Sequence, residues 1–261
     1  MTKKLQSITS KIPAAAALGL ILIFWALLSA SGAVPAYMLP SPADVVKALA
    51  EDLPIILNHA GITLQEAFYG LAIGIVLAFF TATLMDHFLI LNQAFYPIMI
   101  ITQTIPTIAI APMLVLWMGF GMAPKITLVV VTTFFPITVG LLDGYKSVDR
   151  DSVDLMRAMG ASRLQIFLHV KIPAAMPHFF AGLKISSSYA VVGAVISEWL
   201  GGFNGLGVYM TRVKKAYAFD KMFAVILFIV VISLLLMLLV NIAGRIVMPW
   251  ISVEKRRGEE L

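Results

Sequence analysis

The sequence contains no cysteine, so disulfides, thiolate metal sites and cysteine nucleophiles are excluded at the outset. It is also short of charge. Only 13% of its 261 residues are Asp, Glu, Lys or Arg, about half of the roughly 25% that a water-soluble fold carries on its surface. The four histidines, His59, His87, His169 and His178, are scattered over different segments and offer no metal-ligand spacing. No Gly-x-x-x-x-Gly-Lys-Ser/Thr occurs, so the chain has no P-loop of its own to cradle nucleotide phosphates. Gly201, Gly202, Gly205 and Gly207 do not stand in for one, because no strand precedes them; they predict an irregular turn. The net charge of +5 does not point to nucleic acid either, since the basic residues lie between apolar segments rather than in one patch.

What is present is apolar length. Hydrophobic residues make up 60% of the chain and mean hydropathy is +0.94, so much of the surface must face lipid. A bilayer core of about 30 Å takes roughly 20 helical residues. Six charge-poor runs approach that length: 12–31, 67–85, 95–118, 126–142, 177–198 and 222–242. They predict an all-α, polytopic membrane helical bundle of about six transmembrane helices, a single domain over residues 1–261. Lys184 interrupts the fifth run and is expected near one end, where its stem can carry the ammonium to the headgroups. The first run follows Lys3, Lys4 and Lys11 and ends in Ser29-Ala30-Ser31, as a cleaved signal does. It is long for a signal core and is read as a retained span. With the N-terminus inside, the internal segments hold twelve Lys and Arg, including Lys255, Arg256 and Arg257, against six outside. That bias predicts both termini in the cytoplasm, although the external cluster from Arg212 to Lys221 runs against it. Gly70 with Gly74, and Gly140 with Gly144, are small-xxx-small pairs suited to close helix packing.

Two connections are longer than turns. The external one, about 32–63, contains Leu39-Pro40-Ser41-Pro42 and predicts a short surface helix with Val45, Val46 and Leu49 on one side, acting as a packing strut. The cytoplasmic one, about 144–177, predicts a helix from Asp149 to Met159 with acidic residues in its first turn, Val153, Met156 and Met159 on one side, and Gly160 as its stop. A second helix starts at Ser162 with a capping box to Gln165, has Leu164, Phe167 and Leu168 on its apolar face, and is expected to end at Pro173. Either this apolar surface awaits a protein partner, or both helices pack beneath the bundle.

Here the residues match a known pattern. Asp154-Leu155-Met156, then Arg157, Ala158 and Met159, then Gly160, nine residues, and Val170-Lys171-Ile172-Pro173 resembles the EAA loop of bacterial ABC importer permeases. The family pattern is Glu-Ala-Ala, three residues, Gly, nine residues, Ile-x-Leu-Pro. Gly160 and Pro173 match it, Asp154, Val170 and Ile172 are conservative replacements, and Leu155 and Met156 depart from the Ala-Ala pair. The resemblance extends over nearly the whole chain. Leu39-Pro40-Ser41-Pro42, Gln103-Thr104-Ile105-Pro106 and Ser197-Glu198-Trp199-Leu200-Gly201 look like the nitrate, sulfonate and taurine branch. Glu198-Trp199-Leu200-Gly201, with Gly205-Leu206-Gly207-Val208-Tyr209-Met210, is most similar to permeases for thiamine-pyrimidine precursors.

The resemblance implies a type I ABC importer permease fold with a cytoplasmic coupling helix, in which Asp154 to Gly160 would transmit nucleotide-driven closure. It implies a homodimer of this chain in the bacterial inner membrane, an extracytoplasmic substrate-binding protein, and separate ABC ATP-binding subunits holding the ATP and Mg. The chain itself would then be no enzyme and carry no cofactor. A path for solute needs polar groups at membrane depth. Thr102, Gln103, Thr104 and Thr107 supply them where Pro106 and Pro112 interrupt the helix ladder. Glu198 ends the fifth run, as a gate or substrate contact, or as an interfacial carboxylate. An ATP-independent transporter or channel is the alternative, but the runs are nearly free of the paired charges such proteins use, and no paired carboxylates at membrane depth are expected for a membrane enzyme.

Overall fold

Helix is the natural state of apolar runs that must satisfy every backbone group within the segment. The computed structural model describes residues 12–35 and 37–250. Lys3, Lys4, Lys11, Lys255, Arg256 and Arg257, on which part of the charge bias rests, lie outside the described residues. The helices are α1 Ile12–Ala30, α2 Pro42–Glu51, α3 Leu53–His87, α4 Leu89–Thr104, α5 Thr107–Met118, α6 Met122–Lys146, α7 Arg150–Ala158, α8 Arg163–Ile166, α9 Ile172–Gly201, α10 Leu206–Lys215 and α11 Phe219–Val247. They form two compact units, Met1–Asn58 with Tyr209–Phe228, and His59–Val208 with Ile229–Leu261.

In the first unit, α2 starts where its sequence says it should. Ser41 is the N-cap, Asp44 completes a reciprocal capping box, and Pro42 occupies the first turn, where its missing N–H costs nothing. The buried stripe is Val45 and Ala48, packed with Ala224 and flanked by Trp25, Leu49 and Phe223. Val46, expected on that face, is 60% exposed, because an i, i+3, i+4 stripe through Val45 leaves its neighbour outside. The Trp25 indole N–H donates to the Pro40 carbonyl (3.0 Å) and ties α1 to the turn before α2.

Asp52 closes the same unit. It accepts hydrogen bonds from the Tyr209 hydroxyl and from Lys221 Nζ (3.0 Å). Burial pushes its carboxyl up, but these two donors outweigh burial and hold it below the usual carboxylate range. Burial, together with the Asp52 charge, pushes the Tyr209 hydroxyl up. A depressed folded-state pKa contributes stability that is present above the unfolded value and is lost as pH falls through the folded one. Asp52→Asn is therefore expected to cost about 1–3 kcal/mol at neutral pH. The gap to the parent protein should close in melting curves taken below the ordinary range for Asp.

The second unit is organised by register. α3 and α6 run parallel: Glu66 pairs with Lys125, a side chain on Gly70 would meet Val129 and one on Gly74 Thr133, and the Thr83 and Tyr145 hydroxyls lie 3.4 Å apart. α6 and α9 run antiparallel, with Gly140 against His178, Gly144 against Ala175 and Gly182 against Pro136, and the Ser186 hydroxyl on the Thr133 carbonyl (3.0 Å). A Cβ on Gly144 would sit 2.5 Å from the Ala175 Cα, so the small residues do serve close approach. Two parallel neighbours need one crossing between them. α4 and α5 provide it, bent by 99° across Ile105 and Pro106, so they form one broken span rather than a re-entrant loop.

Four helical segments are long and apolar enough to cross a membrane: α3, α6, Arg163–Gly201 and α11. The broken α4–α5 pair makes a fifth, and the sixth expected span is the 19-residue α1. α3 begins well before residue 67, so most of the expected loop at 32–63 is helical. Pro173 does not end a helix. A five-residue π turn, Phe167–Lys171, joins α8 to α9; the Ile172 N–H reaches back to the Phe167 carbonyl, and Pro173 falls in the first turn of α9. Lys184 lies not near an end but about 18 Å along α9 from Ile172.

Candidate functional site

At one end of the second unit, Lys171 binds Asp86 (2.7 Å), fixing the start of α9 to the end of α3, and Phe167 stacks near Tyr145 (5.5 Å between ring centres). Between α6 and α9 the chain projects α7 outward. Asp149 caps it through the Asp151 N–H, and Asp154 pairs with Arg157 across one turn. The helix ends in a Schellman motif: Gly160, at φ +83°, donates to the Arg157 carbonyl and Ala161 to that of Met156. A residue with a side chain would be strained there. Leu155 is 63% exposed, Met159 74% and Leu164 65%. Met156, Met159, Gly160 and Ala161, with Gln165 and His169, line a shallow depression of about 330 Å³.

Beside the break in the α4–α5 span lies a cleft of about 310 Å³. Thr102, Gln103 and Thr107 line it, opposite Thr132 of α6 and Tyr189 and Gly193 of α9. The Thr102 and Thr132 hydroxyls donate to carbonyls of their own helices, Met99 and Val129. Gln103, Thr107 and Tyr189 have no hydrogen-bond partner among the described residues.

A third constellation sits at the opposite end from the projecting loop. Glu198, 1% exposed, accepts from the Thr63 hydroxyl (2.7 Å) and the Gly207 N–H (2.6 Å). Thr63 in turn accepts the Leu206 N–H (2.9 Å), and His59 Nδ1 the Gly205 N–H (3.0 Å). Three successive N–H groups at the start of α10 are thus claimed by side chains from α3 and α9, a cap supplied from distant sequence. Next to Glu198 lies Glu66, whose Oε1 binds Lys125 Nζ at 2.6 Å with both side chains buried. Gly205 has φ +125°, and a Cβ there would overlap the Glu198 carboxyl.

Residues 70–253 match the family model for the binding-protein-dependent transport system inner membrane component. The chain belongs to that family. The permease is 38% identical over 218 residues to a probable ABC transporter permease protein of Haemophilus influenzae, covering 84% of this chain and 89% of the relative. It is 37% identical over 217 residues to the formylaminopyrimidine transport permease protein ThiX of Halalkalibacterium halodurans, covering 82% and 86%. Among solved structures, an inward-facing MetNI methionine ABC transporter chain superposes with a TM-score of 0.67 at 20% identity, covering 76% of the permease and 98% of that chain. That likeness establishes the fold.

The permease keeps Asp154, Leu155, Met156, Arg157, Ala158, Met159 and Gly160 together on one projecting helix and turn, whereas Pro173 stands apart at the start of α9. Thr102, Gln103 and Thr107 share the cleft. Thr104 does not line it; its hydroxyl donates to the Ile101 carbonyl (2.7 Å). Glu198 does not line it either, being enclosed by Thr63 and Gly207. Leu164 and Leu168 are exposed, and the inward face of their segment is Ile166 and Phe167. The expectation of no paired carboxylates within the spans is overturned by Glu66 and Glu198, which sequence reading left far apart. Tyr189 and Thr132 escaped notice because nothing local marks a cleft between three helices.

Proposed function

We propose that the chain is the membrane-spanning subunit of an ATP-driven importer in a bacterial inner membrane, with α7 as its coupling helix. The observation that carries this reading is the projecting Leu155–Met159–Leu164 surface around Gly160. Apolar side chains on a segment outside the spans call for a protein partner. That partner is a separate ATP-binding subunit, which holds the ATP and Mg. The family description supplies the second, an extracytoplasmic binding protein that delivers the solute. Two copies of the chain form the path, both termini and the α7 end face the cytoplasm, and the cleft at Thr102, Gln103 and Thr107 lies along the route. The solute is small and polar: a pyrimidine, as named for one relative, or a sulfonate, taurine or nitrate-like species, as the branch resemblance implies. Thr104 and Glu198 are outside this cleft and are assigned no solute contact.

Ala158 and Met159 are exposed, so Ala158→Glu and Met159→Asp are expected to leave the permease folded. Each should weaken binding of the ATP-binding subunit roughly 30-fold, the size of an interface hot spot of about 2 kcal/mol. Co-purification and solute-stimulated ATP hydrolysis in proteoliposomes read this out. Undiminished stimulation in both variants would remove α7 from the coupling route.

A further inference from the structure

The charge of the cleft narrows what can occupy it. None of its described lining residues is ionisable near neutral pH; its polar groups are hydroxyls and one carboxamide. An anion entering it would shed water with no counter-charge to replace the lost hydration, which is costly in a confined, low-dielectric site. The cations of the same unit are turned elsewhere. Lys184 lies on α9, but roughly 140° around the helix from Tyr189 at 100° per residue. Lys125 is engaged by Glu66 and Lys171 by Asp86.

What the cleft does offer suits a neutral ring. Gln103 presents a carbonyl acceptor and an NH₂ donor side by side, both without a partner among the described residues. That pairing matches the edge of a heterocycle carrying an amino group next to a ring nitrogen. Tyr189, half exposed, adds an aromatic face and a hydroxyl, and Thr107 a further donor and acceptor. At about 310 Å³ the cleft is at the small end of the roughly 300–1,000 Å³ range of small-molecule sites.

We infer that the cleft formed by α4, α5, α6 and α9 is a selectivity site for an uncharged, planar, amino-substituted nitrogen heterocycle and that it disfavours sulfonates and other small anions. This rests on the permease reading and sharpens it, with Gln103 and Tyr189 as the specificity-determining residues. The site accepts the ring edge through the Gln103 carboxamide and its face against Tyr189.

The test uses the purified complex of permease and ATP-binding subunit, without the binding protein, so that selectivity upstream does not intervene. Thermal shift and equilibrium dialysis are run with 4-aminopyrimidine and with ethanesulfonate. The expected result is a dose-dependent stabilisation by 4-aminopyrimidine and none by ethanesulfonate at equal concentration. Gln103→Leu should weaken the aminopyrimidine affinity roughly tenfold, as loss of a hydrogen-bonded pair does, and Lys184→Gln should retain it. Gln103→Arg, at an exposed position, should move the preference toward ethanesulfonate. Stabilisation by ethanesulfonate in the parent complex, or by neither probe, overturns the inference, as does an aminopyrimidine response untouched in Gln103→Leu. Failure of the permease reading is separate: the ATP-binding subunit would then not co-purify at all.

Discussion

Lys125→Met is expected to destabilise the permease by about 3–5 kcal/mol, the usual cost of stripping one partner from a buried ion pair. Lys125 Nζ lies 2.6 Å from Glu66 Oε1, and the two side chains are 7% and 0% exposed. Glu66 is itself a neighbour of Glu198, so removing the cation leaves two adjacent carboxyls with no positive charge to balance them. Methionine fills much of the volume, which makes the loss electrostatic rather than a cavity effect. Melting in detergent measures the change. Adding Glu66→Gln to Lys125→Met should recover most of it, because a buried pair replaced on both sides is far less damaging than one broken on one side. If the single variant melted with the parent, the pair would hold nothing together.

Gly205→Ala is expected to be comparably damaging, at about 3 kcal/mol or more. Two costs add. The backbone at φ +125° is a glycine conformation, and holding another residue there costs about 1–3 kcal/mol. The new methyl would also overlap the Glu198 carboxyl, which is fully buried and has nowhere to swing. Displacing it breaks its bonds to Thr63 and to the Gly207 N–H, and hydrogen bonds to charged groups contribute about 1.5–3 kcal/mol each. A double-mutant cycle separates the two costs. In a Glu198→Ala background the overlap is gone, so the alanine at 205 should cost only the backbone share. Equal costs in both backgrounds would show that Glu198 does not dictate glycine at 205.

Much of this was legible where the physics is local. Ser41 with Asp44, and Ser162 with Gln165, are capping boxes because the two partners lie three residues apart, within reach of any reader of the sequence. Gly160 announces a left-handed turn for the same reason. Gly70, Gly74, Gly140 and Gly144 signal close packing, though only the structure says which helix each one meets. Hydropathy located the spans but clipped them. It reports contact with lipid, and α3 continues through Glu66 and His59, polar residues whose partners lie inside the protein.

The illegible part depends on distance along the chain. Glu66 and Lys125 are separated by 59 residues, and Thr63 and Glu198 by 135. Read singly, each is an ionisable or hydroxyl group at the edge of an apolar run, and Glu198 seemed suited to a path. Assembled, they are a cap for the backbone of residues 205–207. Pro173 misled for a related reason. A proline stops a helix whose carbonyls keep strict i→i+4 register, but a π turn just ahead of it shifts that register by one residue, and the chain passes straight through.

That passage has a mechanical consequence. From Ser162 to Gly201 the backbone never leaves helical geometry, and α9 alone spans about 45 Å. One tip is next to the α7 projection; the other carries Glu198 and, through it, the first turn of α10. A continuous rod gripped at both tips works as a lever, and the π turn, the loosest-wound stretch in it, is its elbow. A small swing imposed at the α7 end is delivered whole to the Gly205–Gly207 bend, with no soft linker on the way to absorb it.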